Sequence, residues 1–127
     1  MDGDTVMGKK NKILICEDDA DTRQALKNIL TKRDYQVEVA VDGKDCIGKM
    51  KEFDPALLLI DIRMPKIDGI DAVKEIRTFN ETVKIIFLTA FESPQLSQEA
   101  ARYGIEDYIV KPPSPQHILD VIKKALL

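Results

Sequence analysis

The sequence predicts an α/β domain: a doubly wound, five-stranded parallel sheet in the order 2-1-3-4-5, with five helices on its two faces. Three observations carry this. Five short apolar runs alternate with five amphipathic stripes along the chain, and strand–helix alternation implies parallel strands joined by right-handed crossovers. Three of the runs are continuously apolar, as strands covered on both faces must be. The chain has 127 residues, 44% of them hydrophobic, which suits one domain around one core. At this size 2-1-3-4-5 is the commonest doubly wound order.

The elements follow in turn. Ile13-Leu14-Ile15-Cys16 is wholly apolar, and the stripe Leu26, Ile29, Leu30 comes after it. The second run, Val37-Glu38-Val39-Ala40, alternates, as a strand near a sheet edge does. Cys46, Ile47, Met50 and Phe53 form the next stripe. Ala56-Leu57-Leu58-Leu59-Ile60 precedes Val73, Ile76 and Phe79; Ile85-Ile86-Phe87-Leu88 precedes Leu96, Ala100 and Tyr103. Tyr108-Ile109-Val110 is the fifth strand, before Ile118, Val121, Ile122 and Ala125. Every stripe keeps the i, i+3, i+4 spacing of a helix with one buried face.

The punctuation agrees. Ser93-Pro94 and Ser114-Pro115 each put a capping serine before a proline at the first helical position. Gly104 stands where a left-handed helix end is expected. Asp68-Gly69 reads as turn chemistry and a helix start. Asp19 and Asp21 read as cap and first-turn acids, since negative charge suits a helix N-terminus. Met64-Pro65 reads as a stiff loop. Residues 1–11 are expected to be a flexible polar leader, and 12–127 the domain.

Composition narrows the function classes. Nineteen basic residues against 22 acidic give a net charge of −3. That is too mild for a disordered acidic chain and too acidic for a nucleic-acid-coating one. No apolar run approaches the roughly 18 residues of a membrane helix, and residues 1–12 contain no secretory apolar region. Cys16 and Cys46 fit neither a metal pattern nor a disulfide framework, and are expected to act as small hydrophobes. His117, the only histidine, reads as a surface residue. A cytoplasmic protein that binds neither membrane nor nucleic acid is expected.

In a parallel sheet the strand C-termini share one edge, where ligands bind. The polar residues that follow the apolar runs are Glu17, Asp18 and Asp19 after the first, Asp61 after the third, Thr89 after the fourth and Lys111 after the fifth. Two carboxylates about 4 Å apart repel by up to about 4 kcal/mol at an effective dielectric of 20, so Glu17, Asp18 and Asp61 together call for a cation. Oxygen-only donors favour a hard ion, Mg²⁺ rather than Zn²⁺, which keeps waters that phosphate oxygens can replace. Thr89 can donate to such an oxygen and Lys111 can neutralise another. A carboxylate nucleophile facing a phosphoryl group is left.

Four segments carry a resemblance: Ile15-Cys16-Glu17-Asp18-Asp19, then the run from Leu59 through Asp61-Ile62-Arg63-Met64-Pro65 to Asp68-Gly69, then Leu88-Thr89-Ala90, and Asp107-Tyr108-Ile109-Val110-Lys111-Pro112. Each is weak alone. In this order, at these strand ends, they resemble the receiver domain of two-component response regulators over residues 12–126. The resemblance implies a flavodoxin-like fold with Asp61 as phosphoacceptor. It implies Asp18 as direct Mg²⁺ ligand, Glu17 as its acidic neighbour acting through water, and Arg63 offering its backbone carbonyl. Thr89 would swing toward the phosphoryl group, Lys111 contact it, Ala90 leave access and Tyr108 act as an aromatic switch. Lys111-Pro112 resembles the family's cis bond. Glu17 in place of the commoner aspartate, and the second proline Pro113, depart from the usual pattern without removing a required group.

The implied function is a phosphorylation switch. Asp61 takes a phosphoryl group from a sensor histidine kinase or a histidine phosphotransfer protein. The face made by the fourth helix, fifth strand and fifth helix then changes for a downstream output protein or domain. Such a chain is no enzyme with an independent substrate; it catalyses its own phosphorylation and dephosphorylation. The alternative is a degenerate receiver that serves only as a protein-binding module. An aspartyl phosphatase of the haloacid-dehalogenase kind is excluded because Arg63 stands where a second aspartate is needed. A nucleotide or flavin binder is excluded by the acidic loop after the first strand and the absence of GxxxxGK[ST]. Arg63 and Phe91, two residues past Asp61 and Thr89, are expected to control water access to the site by their bulk.

Overall fold

The structure, a computed structural model, describes residues 11–64, 66–90 and 94–127, and of Gln95 the backbone alone. The elements run β1 (Lys12–Cys16), α1 (Ala20–Thr31), β2 (Gln36–Ala40), α2 (Gly43–Phe53), β3 (Leu57–Asp61), α3 (Gly69–Phe79), β4 (Lys84–Thr89), α4 (Pro94–Tyr103), β5 (Asp107–Val110) and α5 (Pro115–Ala125). All pairings are parallel, in the order β2-β1-β3-β4-β5. The predicted fold class and strand order are therefore both observed.

Period-two geometry divides the core in two. On one face Leu14, Cys16, Leu58, Ile60, Ile85 and Phe87 meet α2, α3 and α4 through residues such as Met50, Ile76 and Leu96. On the other, Ile13, Ile15, Leu57, Leu59, Ile86 and Leu88 meet α1 and α5 through Leu26, Leu30, Ile118 and Ile122. Central β1 and β3 are buried along almost their whole length, whereas β2, at the edge, alternates between exposed and half-buried residues before ending on buried Ala40. This is the difference that their continuous and alternating sequences anticipate.

Helix starts obey local chemistry. Asp19, Asp42, Asp68 and Ser114 cap α1, α2, α3 and α5, each accepting from the backbone N–H three residues on. Pro115 follows its serine at the first turn. Gly104, just past α4, has φ +65°, where a side chain would be strained. Ser93, Pro65 and the leader as far as residue 10 lie outside the described residues. Replacing Ser114 with alanine removes the acceptor for the His117 N–H. It is expected to lower stability by about 1 kcal/mol, read as an earlier urea midpoint with an unchanged slope.

Cys16 and Cys46 are fully buried and free, and burial, with Cys46 alongside, pushes the Cys16 thiol well above its ordinary value. Both behave as core residues. His117 is exposed. Among the described residues no helix is long and apolar enough to cross a membrane.

Candidate functional site

The path of the chain creates the site. From β1 it passes to α1 on one face; from β3, the neighbour of β1, it passes to α3 on the other. The two loops part and leave a crevice at the C-terminal edge, the topological switch point.

Asp61, the last residue of β3, is 6% exposed. Its Oδ1 accepts from the Arg63 backbone N–H at 3.0 Å, and its Oδ2 from Lys111 Nζ at 2.8 Å. Glu17 follows β1 directly and is fully buried. Its N–H prolongs the ladder to Ala40 O at 3.1 Å. Its Oε1 accepts from Lys111 Nζ at 2.7 Å, and its Oε2 from the Asp19 N–H at 3.1 Å. Asp18 is exposed, yet one carboxylate oxygen from each of Glu17, Asp18 and Asp61 lies within 4.8 Å of the others. Thr89 closes β4 at 8% exposure. Its carbonyl accepts the Lys111 N–H at 2.8 Å, which brings the lysine to the same edge, and the Lys111–Pro112 bond is cis.

Tyr108 lies opposite Phe87 in the ladder, half-buried against the cluster that includes Leu96 of α4. Arg63 is exposed, with its backbone beside Asp61. Phe91 lies outside the described residues. The structure thus brings Glu17, Asp18, Asp61, Thr89 and Lys111 to one place, with Arg63 at its rim and Tyr108 one turn of pleat behind.

Two contacts give Asp61 its setting without any motif to announce them. Gly69 opens α3 so close to β3 that a Cβ would run into the Asp61 carbonyl and the Ile62 backbone; the Asp-Gly pair reads from sequence only as a turn. Lys66, in the loop after β3, pairs with Asp42 at 3.2 Å and ties that loop to the start of α2.

The electrostatics are strained. The Glu17 carboxyl is raised to about 7: burial drives it up and adjacent Asp61 adds to this, outweighing the downward pull of the Lys111 ammonium and the Asp19 N–H. Burial alone would lower Lys111, but its bonds to Asp61 and Glu17 outweigh this and hold it above its ordinary value. A carboxyl raised in the folded state holds a proton there that the unfolded chain has lost. The contribution of Glu17 to stability is therefore greatest below its ordinary value of 4.5 and falls as pH rises toward about 7. In EDTA, thermal melts between pH 5 and 8 are expected to show this decline, and Glu17→Gln to flatten it; identical slopes in both proteins would refute the assignment.

The donor set suits a hard divalent cation. All three donors are carboxylates, and only one ammonium, that of Lys111, pairs with them, so acid outnumbers base in the cluster. Among the described residues the cluster holds no soft or imidazole ligand, which favours Mg²⁺ over Zn²⁺.

Comparison with known proteins points to one family. The family model for the response regulator receiver domain matches residues 13–123. The chain is 39% identical over 119 residues to the chemotaxis protein CheY of Thermotoga maritima, covering 93% of this chain and 98% of that protein. It is 37% identical over 117 residues to CheY of Bacillus subtilis, covering 91% and 98%. Among solved structures it is similar to the chemotaxis protein CheY4 of Vibrio cholerae, with a TM-score of 0.86 at 28% identity, covering 90% of this chain and 97% of that one.

Proposed function

We propose, from the premise that this chain belongs to the response regulator receiver domain family, that it is a phosphorylation switch with Asp61 as the acceptor. Receiver domains take part in two-component signalling with histidine kinases or phosphotransfer proteins and with output domains, and bind Mg²⁺ in an acidic pocket. The observation that carries the reading to this chain is the Lys111 ammonium shared between Asp61 and Glu17 inside a three-carboxylate cluster.

Glu17, Asp18, Asp61 and the Arg63 carbonyl would hold Mg²⁺, which supplies charge neutralisation for the phosphoryl oxygens. An Asp61 carboxylate oxygen attacks the phosphorus of a phosphohistidine. The new P–O bond makes an acyl phosphate, the P–N bond breaks, and the imidazole, already protonated on its other ring nitrogen, leaves as the neutral ring with the electron pair of the broken bond. The Arg63 N–H holds Oδ1 in place, which aims the second oxygen. Lys111 then passes from Asp61 Oδ2 to a phosphoryl oxygen, and the Thr89 hydroxyl turns to another. Tyr108 follows Thr89 and alters the surface made by α4, β5 and α5. A signal results because a partner binds the two states with different affinity. Water attack at phosphorus returns Asp61 to its starting state, so the chain turns over no independent substrate. This reading places the protein in the cytoplasm with its donor.

Phosphoramidate or acetyl phosphate with Mg²⁺ is expected to add one phosphoryl group by intact mass, lost on brief base treatment and absent in EDTA. No labelling under any metal condition would leave a protein-binding module instead. Phosphotransfer from a panel of histidine kinases then identifies the donor.

A further inference from the structure

We propose that Arg23 is the positioning residue for the acidic pair Glu17–Asp18, an inference that rests on the phosphorylation reading above. Arg23 stands in the first turn of α1, half-buried. Its Nη1 donates to Glu17 O at 2.8 Å and reaches Asp18 O at 3.4 Å, and its backbone N–H donates to Asp19 O at 2.9 Å.

The geometry explains why a cation is needed there. In an extended chain, successive side chains point to opposite faces. Glu17 and Asp18 are consecutive, yet each delivers an oxygen to the same cluster. The backbone must therefore bend as it leaves β1, and the bend turns two successive carbonyls the same way. Arg23 receives both of them. The Asp19 cap completes the turn: its side chain accepts from the Thr22 N–H and hydroxyl, while its own N–H holds Glu17 Oε2. The guanidinium bonds main-chain carbonyls here, so it shapes the acidic pair and adds positive charge beside it without sealing the carboxylates. A lysine keeps the charge but carries it on a compact ammonium in place of the planar guanidinium whose Nη1 reaches both carbonyls.

The test compares wild type, Arg23→Ala, Arg23→Lys and, as an equally destabilised control remote from the site, Ser114→Ala. Mg²⁺ affinity is measured by calorimetry, and phosphoramidate labelling is followed across Mg²⁺ concentrations. Arg23→Ala is expected to weaken Mg²⁺ binding roughly tenfold, about the effect of one charge-assisted hydrogen bond. Its labelling rate is expected to recover at saturating Mg²⁺, with Arg23→Lys intermediate and Ser114→Ala unchanged in metal affinity. If Arg23→Ala does not fold, the shift in Arg23→Lys decides. Unchanged Mg²⁺ affinity in the folded Arg23 variants would overturn the positioning role and leave the receiver reading intact. Wild type that takes up neither Mg²⁺ nor phosphoryl would overturn that reading itself.

Discussion

Asp61→Asn is expected to reduce phosphoryl labelling to background at every Mg²⁺ concentration. The substitution conserves size and leaves an oxygen to accept the Arg63 N–H; the amide NH2 replaces the acceptor facing Lys111, whose ammonium keeps its bond to Glu17. It removes both the nucleophile and the negative charge, and a neutral amide oxygen cannot form the acyl phosphate. The loss should be complete, because Asp18 is assigned to the metal and Glu17 already gives both its oxygens to Lys111 and the Asp19 N–H. A second effect accompanies it. Asp61 is one of the causes that raise Glu17, so in Asp61→Asn the Glu17 carboxyl should titrate below its present value of about 7. Carbon-detected NMR of the glutamate carboxyls reads this directly. Labelling of Asp61→Asn at the wild-type level would require another acceptor and end the assignment.

Arg77→Ala is expected to produce the largest loss of stability among single surface-side substitutions, about 3 kcal/mol. Arg77 lies near the end of α3 and ties together three parts of the chain. Nε donates to Tyr103 O at 2.8 Å and Nη2 to Gly104 O at 3.1 Å, the carbonyls at the end of α4 and just past it. Nη1 donates to Val83 O at 2.9 Å and Asn80 O at 3.3 Å, which closes the turn into β4. Burial draws the guanidinium below its ordinary value, but an arginine remains charged. Alanine strands three part-buried carbonyls, of Tyr103, Asn80 and Val83, while that of Gly104 is exposed; an unpaired acceptor shielded from water costs more than a typical hydrogen bond contributes. Lysine should rescue little, since one ammonium cannot span four acceptors in three directions. Urea denaturation measures the loss. Hydrogen exchange should show the amides of α4 opening first, because Arg77 holds the end of that helix. A change below about 0.5 kcal/mol would show that solvent satisfies these carbonyls.

The two substitutions probe different distances of information. The phosphoacceptor candidate is visible in the sequence only in company: Asp61 ends an apolar run, and the polar residues Asp18, Thr89 and Lys111 end three others. Strand 3 needs only its continuous apolar character to be placed at the centre, and β2 only its alternation to be placed at an edge. The caps Asp19, Asp68 and Ser114 are likewise local, since each bond spans three residues. Arg77 carries no such signal. Its acceptors Tyr103 and Gly104 lie 26 and 27 residues away, and on a helical wheel it is one more polar residue. Arg23 is hidden in the same way, although its acceptors are only five and six residues distant, because a bend in the main chain leaves no trace in composition.

Residue order by itself determined the α/β class, the sequence of elements and the polar residues at the strand ends, because periodicity, capping and chain continuity act over a few residues; the strand order followed only as the commonest one for this class. Folding decided what those residues do to one another. Lys111 meets Glu17 across 94 residues and Asp61 across 50; only when β5 and β1 are fixed on either side of β3 and β4 does one ammonium come to lie between two carboxylates. Charge acts through space, and the protonation state of Glu17 therefore belongs to the folded chain.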